Sequence, residues 1–186
     1  MQNKCSDTAA NTTHCLLQTI KQELHASMNG VASAAMRQTA DYRVNFGVEL
    51  PRLQTIAAEY KPDDTLAQAL WKEPVRECRI LATMIVDSTQ MQADMADEWV
   101  AGISTAELAQ TASINTFQHM PDAAQKALEW MAADDDIRQL CGLCTAYHLK
   151  RRGLLTTRQQ EELSDQAQAL AKSGNMAIRR VANNLS

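Results

Sequence analysis

Cys141 and Cys144, in the stretch Cys-Gly-Leu-Cys, have the spacing at which paired thiols bind zinc or cycle through a disulfide. A zinc site of that kind needs a second Cys or His pair at matching distance, and the sequence has none. The motif also falls inside a predicted helix, where residues three apart share one side, as small buried residues would. The structural reading is therefore preferred. His14, His25, His119 and His148 are scattered, and none pairs with a nearby Cys or Ser as a nucleophile and its base. No glycine-rich loop that could cradle a phosphate is present, so neither a cofactor nor a metal is expected.

The cations are more suggestive. Lys150-Arg151-Arg152 closes a predicted helix, and Lys172, Arg179 and Arg180 lie near the C-terminus. Arg37, Arg43, Arg52, Lys72, Arg76 and Arg79 mark the earlier part. Cations at a helix C-terminus ordinarily complement the helix dipole on a solvated face. Aligned on one concave surface, they would instead form a track for phosphates. The net charge of −4 and pI near 5.5 argue mildly against non-specific nucleic-acid binding. They leave a local basic face open.

The elements that must carry these groups are helices. The chain has 186 residues, 45% hydrophobic and only 4% aromatic, with six Gly and four Pro. Such a composition favours helix over strand and is enough for one real core. The polar stretch 1–11 reads as a flexible lead-in. A helix capped by Thr12 or Thr13 runs to about Met28, and a shorter one covers Val31 to Thr39. A loop follows from Asp41 to Gly47. Pro51, Pro62 and Pro74 each suit the start of a helix, and another covers Gln90 to Val100.

Ser104 with Glu107 reads as a capping box for a helix ending near His119. Pro121-Asp122 opens the next helix. The acidic run Asp134–Asp136 starts one that reaches Arg152, with Gly153 beyond it. Thr156 with Gln159 caps the penultimate helix, and Asn175 to Leu185 forms the last. From Pro51 the helix pairs recur at roughly 30–40 residues, the range of helical-repeat proteins. The expectation is an all-α, α-solenoid domain of stacked antiparallel hairpins over 1–186, with an irregular bundle as the plainer alternative. Five cysteines, an odd number, and the lack of a secretory or membrane-spanning stretch point to a cytoplasmic chain with reduced thiols.

Two ordered stretches go further. Tyr42–Leu53 reads YRVNFGVELPRL and leads into Ile56-Ala57. Leu66–Trp71 reads LAQALW, followed by Glu77–Ala82, ECRILA, and by Asp87. Together they resemble the DNA alkylation repair family, the HEAT-like-repeat alkyl-purine DNA glycosylases and their shorter relatives. The resemblance covers Tyr42 to Trp99 well and is looser from Ser104 onward. By themselves, Gly47 suits a turn with unusual backbone angles, Trp71 suits the core, and Glu77 suits a pair with a basic residue of a neighbouring helix. Arg79 fits either an ion pair or a phosphate contact.

The resemblance implies a curved stack of helices whose basic concave face holds duplex DNA. It also implies a carboxylate that stabilises positive charge on the sugar, flanked by tryptophans and an arginine. Following the helices places the family's Trp at Ala106 and its Asp at Gln110. Its Arg falls at Leu140, two residues from Arg138, and its last Trp near Asn183. Glu107, one turn from Gln110, is the candidate substitute carboxylate. The nucleic-acid candidates are Arg43, Lys72, Arg76, Arg79, Lys150, Arg151, Arg152, Arg179 and Arg180. The expected function is duplex-DNA binding with weak or no excision of alkylated bases. The alternative is a non-catalytic HEAT-like scaffold that binds a protein partner.

Overall fold

The computed structural model describes residues 9–39, 42 and 44–185. Residues 1–8 of the expected lead-in, and Arg43 among the expected phosphate contacts, lie outside the described residues. The described residues hold eleven α-helices, two short 3-10 turns and no strand beyond one bridge between Val44 and Val75. The chain packs as two compact units, Met1–Asp87 and Ser88–Ser186. No helix among the described residues is long and apolar enough to cross a membrane.

The first unit contains α1 (Ala9–Ala26), α2 (Gly30–Thr39), α3 (Leu50–Ala57), α4 (Asp64–Lys72) and α5 (Arg76–Ile85). Helix α1 already includes residues 9–11, so the lead-in is shorter than the polar composition suggests. Pro51 sits in the first turn of α3, where its missing N–H leaves nothing unsatisfied. Asp63 caps α4 by accepting from the Leu66 amide at 2.9 Å. Leu53, Ile56, Leu66, Leu70, Leu81 and Ile85 point inward and are buried, whereas Leu50, also on the expected apolar face of α3, is 44% exposed.

A buried carboxylate holds this unit's loop to its helices. Glu77, fully buried in α5, accepts from the amides of Phe46 (3.1 Å) and Val48 (3.2 Å). Arg76, equally buried, donates to Glu77 at 3.2 Å and to the Val48 carbonyl at 3.1 Å. Glu77 thus pairs with its own neighbour in α5 rather than with another helix. On its other side the loop receives the Asn29 amide at the Phe46 carbonyl and the Ser33 hydroxyl at the Asn45 carbonyl. Between these contacts Gly47 has φ +71, and a Cβ there would overlap the Asn29 carbonyl and the Ser33 amide.

The second unit contains α6 (Ala93–Gly102), α7 (Ala106–Asn115), α8 (Ala123–Met131), α9 (Asp136–Arg151), α10 (Thr157–Leu170) and α11 (Met176–Ala182). Thr105, not Ser104, caps α7, accepting from the Leu108 amide at 3.3 Å. That shift moves Glu107 out of the capping-box position, and α7 stops at Asn115 before a 3-10 turn, Phe117–His119. The Asp135 cap, the Thr156–Gln159 capping box and the Asn175 cap form where the sequence places helix starts. Gly153 (φ +67) closes α9, its amide bonding the Lys150 carbonyl while the Leu154 amide reaches Leu149.

Helix α9 is the axis of this unit, packed by α7, α8 and α11. Every residue from Leu140 to Ala146 is buried, as a helix enclosed on several sides requires. Gly142 lies at the crossing with α8. A Cβ there would stand 2.5 Å from the Ala127 carbonyl and 2.7 Å from the Met131 amide. Trp99, Phe117 and Trp130 fill the adjoining core, with Phe117 edge-on to Trp130 at 5.0 Å. The Trp130 indole donates to Asp97 at 2.7 Å, and Lys126 reaches the same carboxylate at 2.8 Å, tying α8 to α6.

Two substitutions test these contacts. Glu77→Ala leaves Arg76 buried without its carboxylate and frees two loop amides, a loss of ~3–5 kcal/mol. Hydrogen exchange should show lost protection at Phe46 and Val48. Gly142→Ala forces α8 and α9 apart and should destabilise the second unit by ~1–3 kcal/mol in denaturant unfolding. An unchanged midpoint would refute the close-approach reading.

Candidate functional site

Three helices of the second unit each bring a stripe of side chains to one cavity of about 750 Å³. From α7 come Gln110, Thr111 and Ile114; from α9 come Cys144, Tyr147 and His148. From α11 come Met176, Ala177, Arg180, Val181 and Asn184, the last just past the helix end. Each set recurs at three- and four-residue intervals, the spacing that puts side chains on one helix face. α11 is held in place by the Asn175 side chain, which caps it and donates to Asp136 at 2.9 Å. The Lys150 ammonium also donates to the Leu185 carbonyl at 2.8 Å, so one of the expected phosphate cations already serves the fold.

The cavity is positive and partly apolar. Arg180 lines it directly, and the Arg151 guanidinium lies 5.7 Å over the ring of Tyr147, a lining residue. Ile114 is 46% exposed and Met176 75% exposed, unusual for side chains of their size. No Asp or Glu among the described residues lines the cavity. Gln110, which stands where the family resemblance implies an Asp, is exposed at its wall. Ala106 opens α7, Leu140 is buried in the core, and Asn183 is exposed just after α11. Glu107 is exposed and does not line the cavity, so α7 does not bring the substitute carboxylate to it.

His148 lies at the cavity with its imidazole held below the usual histidine range, first by burial, then by Arg151, Arg152 and His119. It stays neutral near pH 7 and can donate or accept one hydrogen bond. A second cavity, of about 580 Å³, is lined in part by His119, Gln118, Leu149, Arg152 and Leu154. There Arg152 donates to the Gln118 carbonyl at 3.2 Å and contacts His119 Nδ1 at 3.2 Å. Arg152 therefore acts partly as a brace for the turn after α7.

The remaining candidates sort unevenly. Arg76 is corrected: it is buried against Glu77, with its guanidinium 5.8 Å over Tyr42, and offers no surface to a phosphate. Arg79 is half-buried, bonded to the Glu73 carbonyl and stacked 5.7 Å over Trp71. Lys72 is exposed at the end of α4. Arg179 is exposed and donates to the Ser173 carbonyl at 3.3 Å. Arg180 thus lines the cavity, while Arg151 does not line it and contacts Tyr147, which does; Lys150 is on the same last turn of α9 as Arg151. Lys72, Arg76 and Arg79 belong to the first unit.

The CxxC pair resolves as packing. Cys141 and Cys144 are buried free thiols, as is Cys78. Burial pushes the Cys144 and Cys78 thiols up to about 12 and raises Cys141 further. No group of His, Cys, Asp and Glu among the described residues is placed to hold a metal. The expectation of reduced thiols fails at Cys15, which is disulfide-bonded.

Sequence reasoning missed Tyr147, His148, Ile114, Met176 and Asn184. The signal was present as three helical stripes, but their convergence depends on how α7 and α11 flank α9.

Because the folded-state pKa of His148 lies below that of the unfolded chain, the unfolded state takes up the proton first as pH falls. Stability of the second unit should be full above about pH 6.5 and decline below it. His148→Gln should flatten that decline in melts recorded across pH 5–7.5; an unchanged slope would mean that other groups carry it.

Comparison with known proteins bears on this site. Residues 20–185 match the family described as DNA alkylation repair enzyme. No curated protein matches the chain. A solved structure described as "A new family of proteins related to the HEAT-like repeat DNA glycosylases with affinity for branched DNA structures" superposes with a TM-score of 0.81 at 18% identity. The match covers 91% of this chain and 73% of that one, and identifies the fold as a HEAT-like α-solenoid of helical hairpins. This chain belongs to the DNA alkylation repair enzyme family.

Proposed function

We propose that this member of the DNA alkylation repair family binds DNA through the α7–α9–α11 face of its second unit and does not excise alkylated bases. The observation that carries the reading is the composition of the cavity. Arg180 at its wall and Arg151 over the lining Tyr147 suit phosphate, while no carboxylate among the described residues lines it. Base excision builds positive charge on the sugar, and a preorganised negative group is commonly worth several kcal/mol of that barrier. Gln110 is neutral and cannot supply it. The structural relative's affinity for branched DNA extends the proposal to DNA with junctions or unpaired segments. Such substrates present the dense phosphates that a small cationic face can grip despite the chain's acidic balance.

A protein-binding scaffold is the second reading, favoured by the exposed Met176 and Ile114 at the same face.

Salt dependence separates the two. The DNA reading predicts binding of linear and branched duplexes at ~50 mM salt that weakens steeply with added salt. Arg151→Glu combined with Arg180→Glu should weaken it at least tenfold and reduce the slope by about two, one per phosphate contact removed. Absence of binding by the unaltered protein at that salt would leave the scaffold reading. Release of N-methylated purine should stay at the uncatalysed level, and Glu107→Gln should change nothing. Release that depends on Glu107 would contradict the proposal.

A further inference from the structure

Beyond its cations, the cavity carries groups that phosphate contacts alone do not use. Ile114, Met176 and Val181 give it an apolar wall, and the Tyr147 ring gives it an aromatic one. The Gln110 and Asn184 amides each add a donor and an acceptor without charge. Arg180 supplies a fixed cation at the same cavity. A ligand that satisfies all of these is flat and neutral, has a polar edge, and carries an anion beside it. With no carboxylate among the described residues that line it, the cavity gives no advantage to a cationic base over an uncharged one.

From this, and resting on the DNA-binding reading above, we propose that the cavity receives the base of an unpaired nucleotide. The base stacks on Tyr147 against Ile114 and Met176, the amides of Gln110 and Asn184 meet its edge, and Arg180 holds the adjoining phosphate. Stacking accepts any base, because every base presents an aromatic face, so the amides supply only modest preference among them. The site therefore distinguishes a base that is out of the helix from one that is paired. It would direct the protein to bulges, flaps or junctions without reading sequence.

The test is an anisotropy titration at ~50 mM salt with three labelled duplexes: fully paired, with one bulged thymidine, and with a bulged abasic nucleotide in its place. The bulged base should bind about tenfold tighter than the abasic bulge, in line with one stacked base. Ala177→Trp, which fills the cavity, should erase that difference. Gln110→Leu alters only an exposed side chain, keeps the charge, and should reduce the difference even if the Trp variant fails to fold. Equal affinity for the two bulges, with all duplexes bound, would overturn the pocket assignment and leave the DNA-binding reading standing. A difference that survives in Gln110→Leu and in a folded Ala177→Trp would also overturn it. No binding to any duplex would remove the DNA-binding reading, and the pocket assignment with it.

Discussion

The geometry of the second unit depends on one close approach, that of α9 to α8 at Gly142. The absence of a side chain there lets α9 sit against the backbone of Ala127 and Met131. Cys141, Leu143, Cys144 and Thr145 then pack around it with no polar surface exposed. A helix seated this deeply can be flanked by α7 and α11 together, and the cavity is the space those two leave beside it. A bulkier residue at Gly142 would displace Tyr147 and His148, which ride on the next two turns. Packing at one glycine thus sets the position of groups one to two turns away.

Electrostatics explains how an acidic chain can present a cationic site. Several carboxylates of this unit are committed elsewhere. Asp97 holds Lys126 and Trp130, Asp135 caps α9, and Asp136 accepts from Asn175. The end of α9, by contrast, gathers Lys150, Arg151 and Arg152 where the helix dipole is negative. Of these, Arg151 covers the ring of Tyr147, a residue that lines the cavity, and Arg180 of α11 lines it directly. Burial first, and then Arg151 and Arg152, hold the His148 imidazole below the usual histidine range. Charge counted over the whole chain hides this local arrangement.

Much of the fold was legible in the sequence because its signals are local. Pro51, the Thr156–Gln159 box and Gly153 fix helix ends through backbone geometry that neighbouring residues determine alone. The cap at Thr105 was misread as Ser104 because both side chains can accept the same kind of bond. Only the path of the chain decides between them. Arg76 looked like a surface cation and proved to be buried, since its partners at Val48 lie 28 residues away across a loop. The candidate site was less legible for the same reason. Arg180 and Arg151 could be chosen by charge, but Tyr147, Met176 and Asn184 gain meaning only when three helices meet.

The central claim is that DNA meets this protein at the α7–α9–α11 face of its second unit. The most direct measurement is the change in backbone amide resonances as a branched duplex is titrated into the full chain. The account predicts the largest shifts around Gln110, Tyr147, Arg151 and Arg180, with Glu107 little affected. Shifts confined to the first unit, around Lys72 and Arg79, would contradict it.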